Sequence, residues 1–227
     1  MNTPAGRALI VHRFMGLCGL MGALLFFAGD MLFYGYFGSG AGFEEGMRRT
    51  VMQGAPGRLV AGGAIGPAAA CLCIVGFWHV YRNVRPASRI WGQVMFGAFF
   101  ALMVTGSAVH TLWTARGLAL KYCGGGSGPC SDLHSAIRSY WGLMYQIGAA
   151  PGYLGAVILL GLVLMRKTWY PRWTVLANPA VLILLSPLAT MVPAPLGSVI
   201  VGGSTNLSIA VFFFVSVATT WRRHSDA

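Results

Sequence analysis

Four apolar runs, Phe14–Phe37, Leu59–Tyr81, Ile90–Trp113 and Trp141–Met165, each exceed the roughly 20 residues that a helix needs to cross a hydrocarbon core. A fifth, Val175–Trp221, is long enough for two crossings, and the cluster Pro193-Ala194-Pro195-Leu196-Gly197 divides it. Within lipid the backbone must satisfy its own hydrogen bonds, which a continuous apolar run does as a helix. The expected fold is therefore all-α: a polytopic transmembrane helical bundle of about six spans, 14–37, 59–81, 90–113, 141–165, 175–192 and 199–221. Residues 1–227 form a single integral membrane domain on this reading. Composition agrees, because only 9% of the residues are charged and mean hydropathy is +0.66, whereas soluble chains carry about 25% charged residues. Arg7 and Arg13 ahead of the first run resemble the start of a signal peptide. That run is too long for one, contains Asp30 and lacks a small-residue cleavage site, so it reads as a retained helix.

A net charge of +11 would suggest nucleic acid in a soluble chain, but here the cations occupy short connections and report orientation instead. Alternate connections carry Arg7, Arg13, Arg82, Arg85, Arg89, Arg166, Lys167, Arg172, Arg222 and Arg223 on one side. The other side has Arg48, Arg49, Arg58, Arg116, Lys121 and Arg138. The richer side is expected to be cytoplasmic, with both termini there. Nucleic acid is not expected as a partner; membrane lipids and a hydrophobic or amphipathic small molecule are, and a homo-oligomer is a further possible partner.

Cys123 and Cys130 bracket a glycine-rich loop on the outer side, so a disulfide is expected, with free thiols or a metal pair completed by Asp132 and His134 as the other readings. Cys18, Cys71 and Cys73 lie in spans and read as buried, inert residues. Residues 39–56 suit a short surface helix. Residues 116–140 form the longest connection and could lie over the outer mouth as a lid.

Asp30 is the one carboxylate inside a span, and an intramembrane carboxylate is by default a functional-site candidate. At 1.5 Å per residue Asp30, His110, Gln146 and Asn206 all fall roughly 5–10 Å below the outer boundary. Tyr34, Arg58, Trp113 and Tyr145 belong to the same half on this reading, and Tyr153 shares a helix stripe with Gln146. Pro67, Pro151-Gly152 and Gly202-Gly203-Ser204-Thr205-Asn206 interrupt three spans nearby, which is tolerated where backbone lines a cavity. Asp30 and His110 are the candidate catalytic pair. Tyr34, Arg58, Trp113, Tyr145, Gln146, Tyr153 and Asn206 are the candidate substrate-binding groups. The plain alternative for Asp30 is an ion pair with Arg58 that only holds two helices together. His110 could be an interfacial residue and His79 part of an aromatic belt, while Asn178 before Pro179 reads as a helix cap. Gly16, Gly19 and Gly22, and Gly62, Gly66 and Ala70, are small-residue ridges for helix packing.

No nucleophile elbow, phosphate loop, HExxH site or paired aspartates occur, and no cofactor or metal is expected. Three readings follow: an acid–base enzyme of isomerase, cyclase or hydratase type acting on a lipid or isoprenoid; a proton- or cation-coupled transporter or binding protein; and a structural or assembly factor.

The runs Gly29-Asp30-Met31-Leu32-Phe33-Tyr34-Gly35, Arg58-Leu59-Val60-Ala61-Gly62-Gly63-Ala64-Ile65-Gly66-Pro67 and Gly76-Phe77-Trp78-His79-Val80-Tyr81 resemble an uncharacterised family of bacterial multi-span membrane proteins. The resemblance is best over the first three spans and extends loosely to His110. It implies a multi-pass protein of the bacterial inner membrane and supplies no activity. The emopamil-binding sterol isomerases are similar in size and helical character, but they use several intramembrane carboxylates where this chain has only Asp30.

Overall fold

The computed structural model describes residues 4–124, 128–165 and 167–221. Arg166, Arg222 and Arg223, three of the cations counted toward the cytoplasmic side, lie outside the described residues, as do residues 125–127 of the glycine-rich loop. Five helices are long and apolar enough to cross a membrane. These are α1 (Pro4–Tyr34), α3 (Pro56–Val84), α4 (Arg89–Cys123), α5 (Pro129–Met165) and α7 (Leu196–Thr220). Two short helices, α2 (Phe43–Gln53) and α6 (Pro179–Leu185), complete the set, with 3₁₀ turns at Arg172–Ala177 and Ser186–Met191.

Local chemistry sets the boundaries. Ser88 caps α4, its hydroxyl accepting from the Trp91 amide at 3.3 Å. Asn178 caps α6 by accepting from the Ala180 amide at 3.0 Å, with Pro179 at the first helical position, as its sequence context implied. α3 and α5 run through Pro67 and Pro151 as unbroken helices. Residues 39–56 do contain the surface helix, α2. Residues 116–140 are mostly helix and not a long loop: α4 extends to Cys123 and α5 begins at Pro129, and the Cys123–Cys130 disulfide ties the two ends together. Depth arithmetic had ended both helices at Trp113 and Trp141, where apolarity fades, but a helix can continue past the membrane surface. At 1.5 Å per residue α4 and α5 are about 50 Å long, well beyond a 30 Å core.

Pairs of contacts fix the directions. Gly19 meets Gly76 and Gly29 meets Gly62, so α3 is antiparallel to α1. Gly66 meets His110 and Gly92 meets Tyr81, which reverses α4; Gly148 meets Thr105 and Gly155 meets Phe99, which reverses α5. Asp30 pairs with Asn206 and Arg13 with the Trp221 carbonyl, so α7 also runs opposite to α1. α5 and α7 are therefore parallel, and residues 167–195 lie on the stretch that returns the chain from one end of the bundle to the other. They form α6 flanked by two 3₁₀ turns, not the single helix expected over 175–192. Pro187 explains the break: it has no amide hydrogen to offer the carbonyl four residues back. Both ends of the described chain consequently lie at one end of the bundle, called inner below; Tyr34 and α2 lie at the outer end.

The outward faces are apolar. On α1 the stripe Ile10, Phe14, Leu17, Met21 and Leu24 is exposed, while Ala23 and Phe26 are buried against the bundle. The central core contains Ala69, Cys73, Phe77, Phe99 and Phe213, each at most 1% exposed. Phe77 stacks on Phe99 with ring centres 4.2 Å apart. Cys71 is exposed, unlike Cys73, because two residues along a helix lie on different faces.

Candidate functional site

A cavity of about 340 Å³ opens among α1, α2, α4, α5 and α7 in the outer half of the bundle. α1 contributes one stripe to it, Phe26, Asp30 and Tyr34, spaced by four residues as helix geometry requires. α4 contributes Gly106, His110, Trp113 and Arg116, and α5 contributes Trp141, Tyr145, Gly148 and Ala149. α7 supplies Gly202, Thr205 and Asn206, and Phe43 and Met47 of α2 close the top. Most of this wall is carbon, with the polar groups gathered at one place.

That place is Asp30. Its side chain is 8% exposed and its Oδ2 accepts from Asn206 Nδ2 at 2.7 Å. Tyr34, one turn further along α1, lies within interaction range of the same carboxylate. His110 Nδ1 stands 3.9 Å from Oδ1, which is too far for a hydrogen bond and close enough for one atom to bridge. The imidazole is held by shape. Its ring packs against Phe33 and Phe26, with centres 4.8 and 5.1 Å away, and lies against glycines on two helices. A Cβ at Gly29 would collide with His110 Nε2, and one at Gly66 would stand 3.1 Å from its Cβ. Small residues on α1 and α3 thus make the slot that the histidine fills. Nε2 is buried there without a well-formed hydrogen bond, leaving Nδ1 as the edge that faces the carboxylate.

Six of the nine catalytic and substrate-binding candidates line this cavity: Asp30, His110, Tyr34, Trp113, Tyr145 and Asn206. Arg58 does not. Its Nη2 donates to the Met31 carbonyl at 3.4 Å, and the expected pair with Asp30 is not formed. The helix-end position that suggested that pair fixed the arginine's height and left its bearing open. Gln146 is exposed and off the wall, while Tyr153 lines a smaller adjoining cavity of about 50 Å³. The facing stripe of α5 is Trp141, Tyr145, Gly148, Ala149 and Gly152 rather than the one through Gln146. Arg116 was overlooked because it sits beyond the presumed end of the third span, and Trp141 because it only marked the start of the fourth. The signal for them was the pair Trp113 and Arg116, one turn apart on α4.

A second buried polar cluster occupies the inner end. His79 Nδ1 is 3.0 Å from the His12 carbonyl, and its Nε2 is within 3.1 Å of Ser216 Oγ and of Asn83 Nδ2. Tyr170 Oη completes it, accepting from Asn83 Nδ2 at 2.9 Å and lying 2.6 Å from Ser216 Oγ. His79 is 1% exposed, so it belongs to a packed network and not to an interfacial belt. Among the described residues no three His, Cys, Asp or Glu side chains are grouped as a metal site.

A family model described as "Family of unknown function (DUF6796)" matches residues 5–222, nearly the whole chain, and the chain belongs to that family. No curated protein and no solved structure matches it.

Proposed function

We propose, from the site alone because membership of a family of unknown function assigns no activity, that this membrane protein is an acid–base enzyme acting on a lipid or isoprenoid. The reaction is of isomerase, cyclase or hydratase type. One observation carries the reading: a single carboxylate, buried at the edge of an apolar cavity, faces an imidazole across a 3.9 Å gap that no hydrogen bond closes. Two proton carriers at that spacing serve a substrate atom lying between them. With the proton on Asp30, its transfer to a carbon–carbon double bond leaves a cation on the neighbouring carbon. His110 Nδ1 then removes a proton from the next carbon, and the double bond has moved. Passage of that proton from His110 back to Asp30 restores the starting state, so nothing is consumed. Phe26, Trp113 and Tyr145 present ring faces or edges to the cavity, and aromatic faces stabilise a transient cation. Asn206 and Tyr34 hold the carboxylate in place.

The test is exchange in heavy water. Wild-type protein with its co-purifying lipid should place deuterium at carbon, read by mass spectrometry, and Asp30→Asn and His110→Gln should lower the rate by about 10²–10⁴ while lipid stays bound. Exchange at the wild-type rate in Asp30→Asn would sink the reading.

A second reading, proton- or cation-coupled transport, draws support from the broken crossing at residues 172–191, since discontinuous helices beside a pocket are common in transporters. Uptake driven by a pH gradient in proteoliposomes, abolished in Asp30→Asn, would favour it.

A further inference from the structure

Arg116 is the cation at the cavity's mouth, and its surroundings are unusual. Its Cζ lies 4.2 Å from the ring centre of Trp141 and 4.9 Å from that of Trp113, so two indoles hold the guanidinium. Ring contacts satisfy the faces of a guanidinium and leave its N–H edge unanswered. Among the described residues that edge has no acceptor: Glu45 lies against Arg49, Asp30 faces His110, and no hydrogen bond from Arg116 occurs. Two other cations at this end are engaged. Lys121 Nζ donates to the Met52 carbonyl at 2.6 Å, and Arg58 donates to the Met31 carbonyl. A second donor beside Arg116 is also idle, because Trp141 Nε1 is buried without a partner. Arg138 lies within electrostatic range of Arg116 and adds to the positive potential there.

A half-buried guanidinium pinned by two indoles, beside an unpartnered indole N–H and a second arginine, lacks only an anion. Desolvating donors without a partner is costly, and the planar fork of arginine matches carboxylate and phosphate oxygens two at a time. We propose that the ligand of this cavity is an amphiphile whose phosphate or carboxylate head group sits on Arg116, while its apolar part runs down the cavity toward Asp30. The inference rests on the reading of the cavity as a lipid site and names the class of lipid. Arg116 lies six residues from His110 along α4, or about 9 Å. The position that meets the two proton carriers is therefore within the apolar chain, several bonds from the head.

Native mass spectrometry of the intact protein in detergent tests this with decyl phosphate, decanol and inorganic phosphate. Wild type should hold one decyl phosphate at least about tenfold more tightly than decanol, the scale of one charge-assisted contact. Arg116→Gln should erase that preference, Arg116→Lys should keep part of it, and Asp30→Asn should leave it intact. Equal affinity for decyl phosphate and decanol in the wild type overturns the anion site and spares the apolar cavity. Inorganic phosphate bound as tightly as decyl phosphate also overturns it, in favour of a free anion. A preference unchanged in Arg116→Gln does the same. Wild type that takes neither amphiphile instead removes the lipid-site reading beneath it. The wild-type comparison stands even where a variant fails to fold.

Discussion

Gly19→Ala tests the packing that positions the site. An added Cβ at Gly19 would stand 2.7 Å from Gly76 Cα and 2.7 Å from Phe213 Cε1, where ordinary contact begins at 3.4 Å. Restoring ordinary contact requires 0.7 Å of movement (3.4 − 2.7), and neither neighbour is free to give it: one is backbone and Phe213 is fully buried. Overpacking of this kind costs about 1–3 kcal/mol. Alanine also favours a helix over glycine by about 1 kcal/mol, so the right reference is Gly97→Ala on α4, which gains the same term and meets nothing within 4 Å. A difference near 2 kcal/mol between the two variants corresponds to about 4–8 °C in melting temperature for a chain of this size. Cys73 provides a local readout, since its side chain is buried at the same seam and Cys71 on the same helix is exposed. Opening of the seam should speed alkylation of Cys73 relative to Cys71. Gly19→Ala with Gly76→Ala should cost less than the sum of the singles by about 0.5 kcal/mol or more, because the first substitution already parts the helices. Equal melting of Gly19→Ala and Gly97→Ala, with Cys73 still unreactive, would refute the reasoning.

Asn206→Ala should lower stability by about 1–3 kcal/mol, because it removes the 2.7 Å hydrogen bond from Asn206 to Oδ2 of the buried Asp30. A melting cycle with Asp30→Asn checks this, and purely additive losses would contradict it. Tyr170→Phe should cost a similar amount by breaking contacts to Asn83 and Ser216, and should leave ligand binding at the other end unchanged. Burial pushes the Tyr170 phenol above its ordinary value near 10. Its contribution is thus complete below about pH 10, where the unfolded phenol begins to ionise, and is lost as pH rises further. A pH series of melting curves should show an alkaline loss in the wild type that is smaller in Tyr170→Phe.

The five long helices and the shared level of the polar groups were legible, because both follow from hydropathy and a fixed rise per residue. Asp30, His110 and Asn206 meet as expected from depth alone. Bearing around the helix was the missing coordinate. Gln146 and Tyr145 are adjacent in sequence and equal in depth, yet only Tyr145 lines the main cavity. The correct face of α5 could be read only once Gly148 and Gly152 were known to pack on Thr105 and Leu102. Arg58 failed for the same reason. The glycines of α1 and α3 were read as packing ridges, and they are; that Gly29 and Gly66 also shape the slot for His110 needed the register between the helices. The inner network escaped notice because Ser216, Asn83 and Tyr170 are ordinary residues until three segments bring them together.

The two polar clusters share α1 and α7, and what lies between them bears on the choice between catalysis and transport. His12 and Asp30 are separated by 18 residues of α1, about 27 Å of helix. Between those levels Gly19 and Gly76 bring backbones together, and Phe77, Phe99 and Phe213 fill the centre with at most 1% exposure each. A solute passing from the outer cavity to the inner network would have to part this close-packed seam. Close-packed interiors move between discrete arrangements rather than yielding gradually. Transport would therefore demand a second arrangement in which the three aromatic rings and the glycine contacts are all remade. A site served from one side only demands none: the substrate enters and leaves through the outer half, and the seam acts as the floor that holds Asp30 and His110 at their spacing. On this reasoning the inner network is a structural counterpart that ties α1, α3, α7 and residue 170 together beneath that floor. Substitutions there should change stability well before they change what the outer cavity binds.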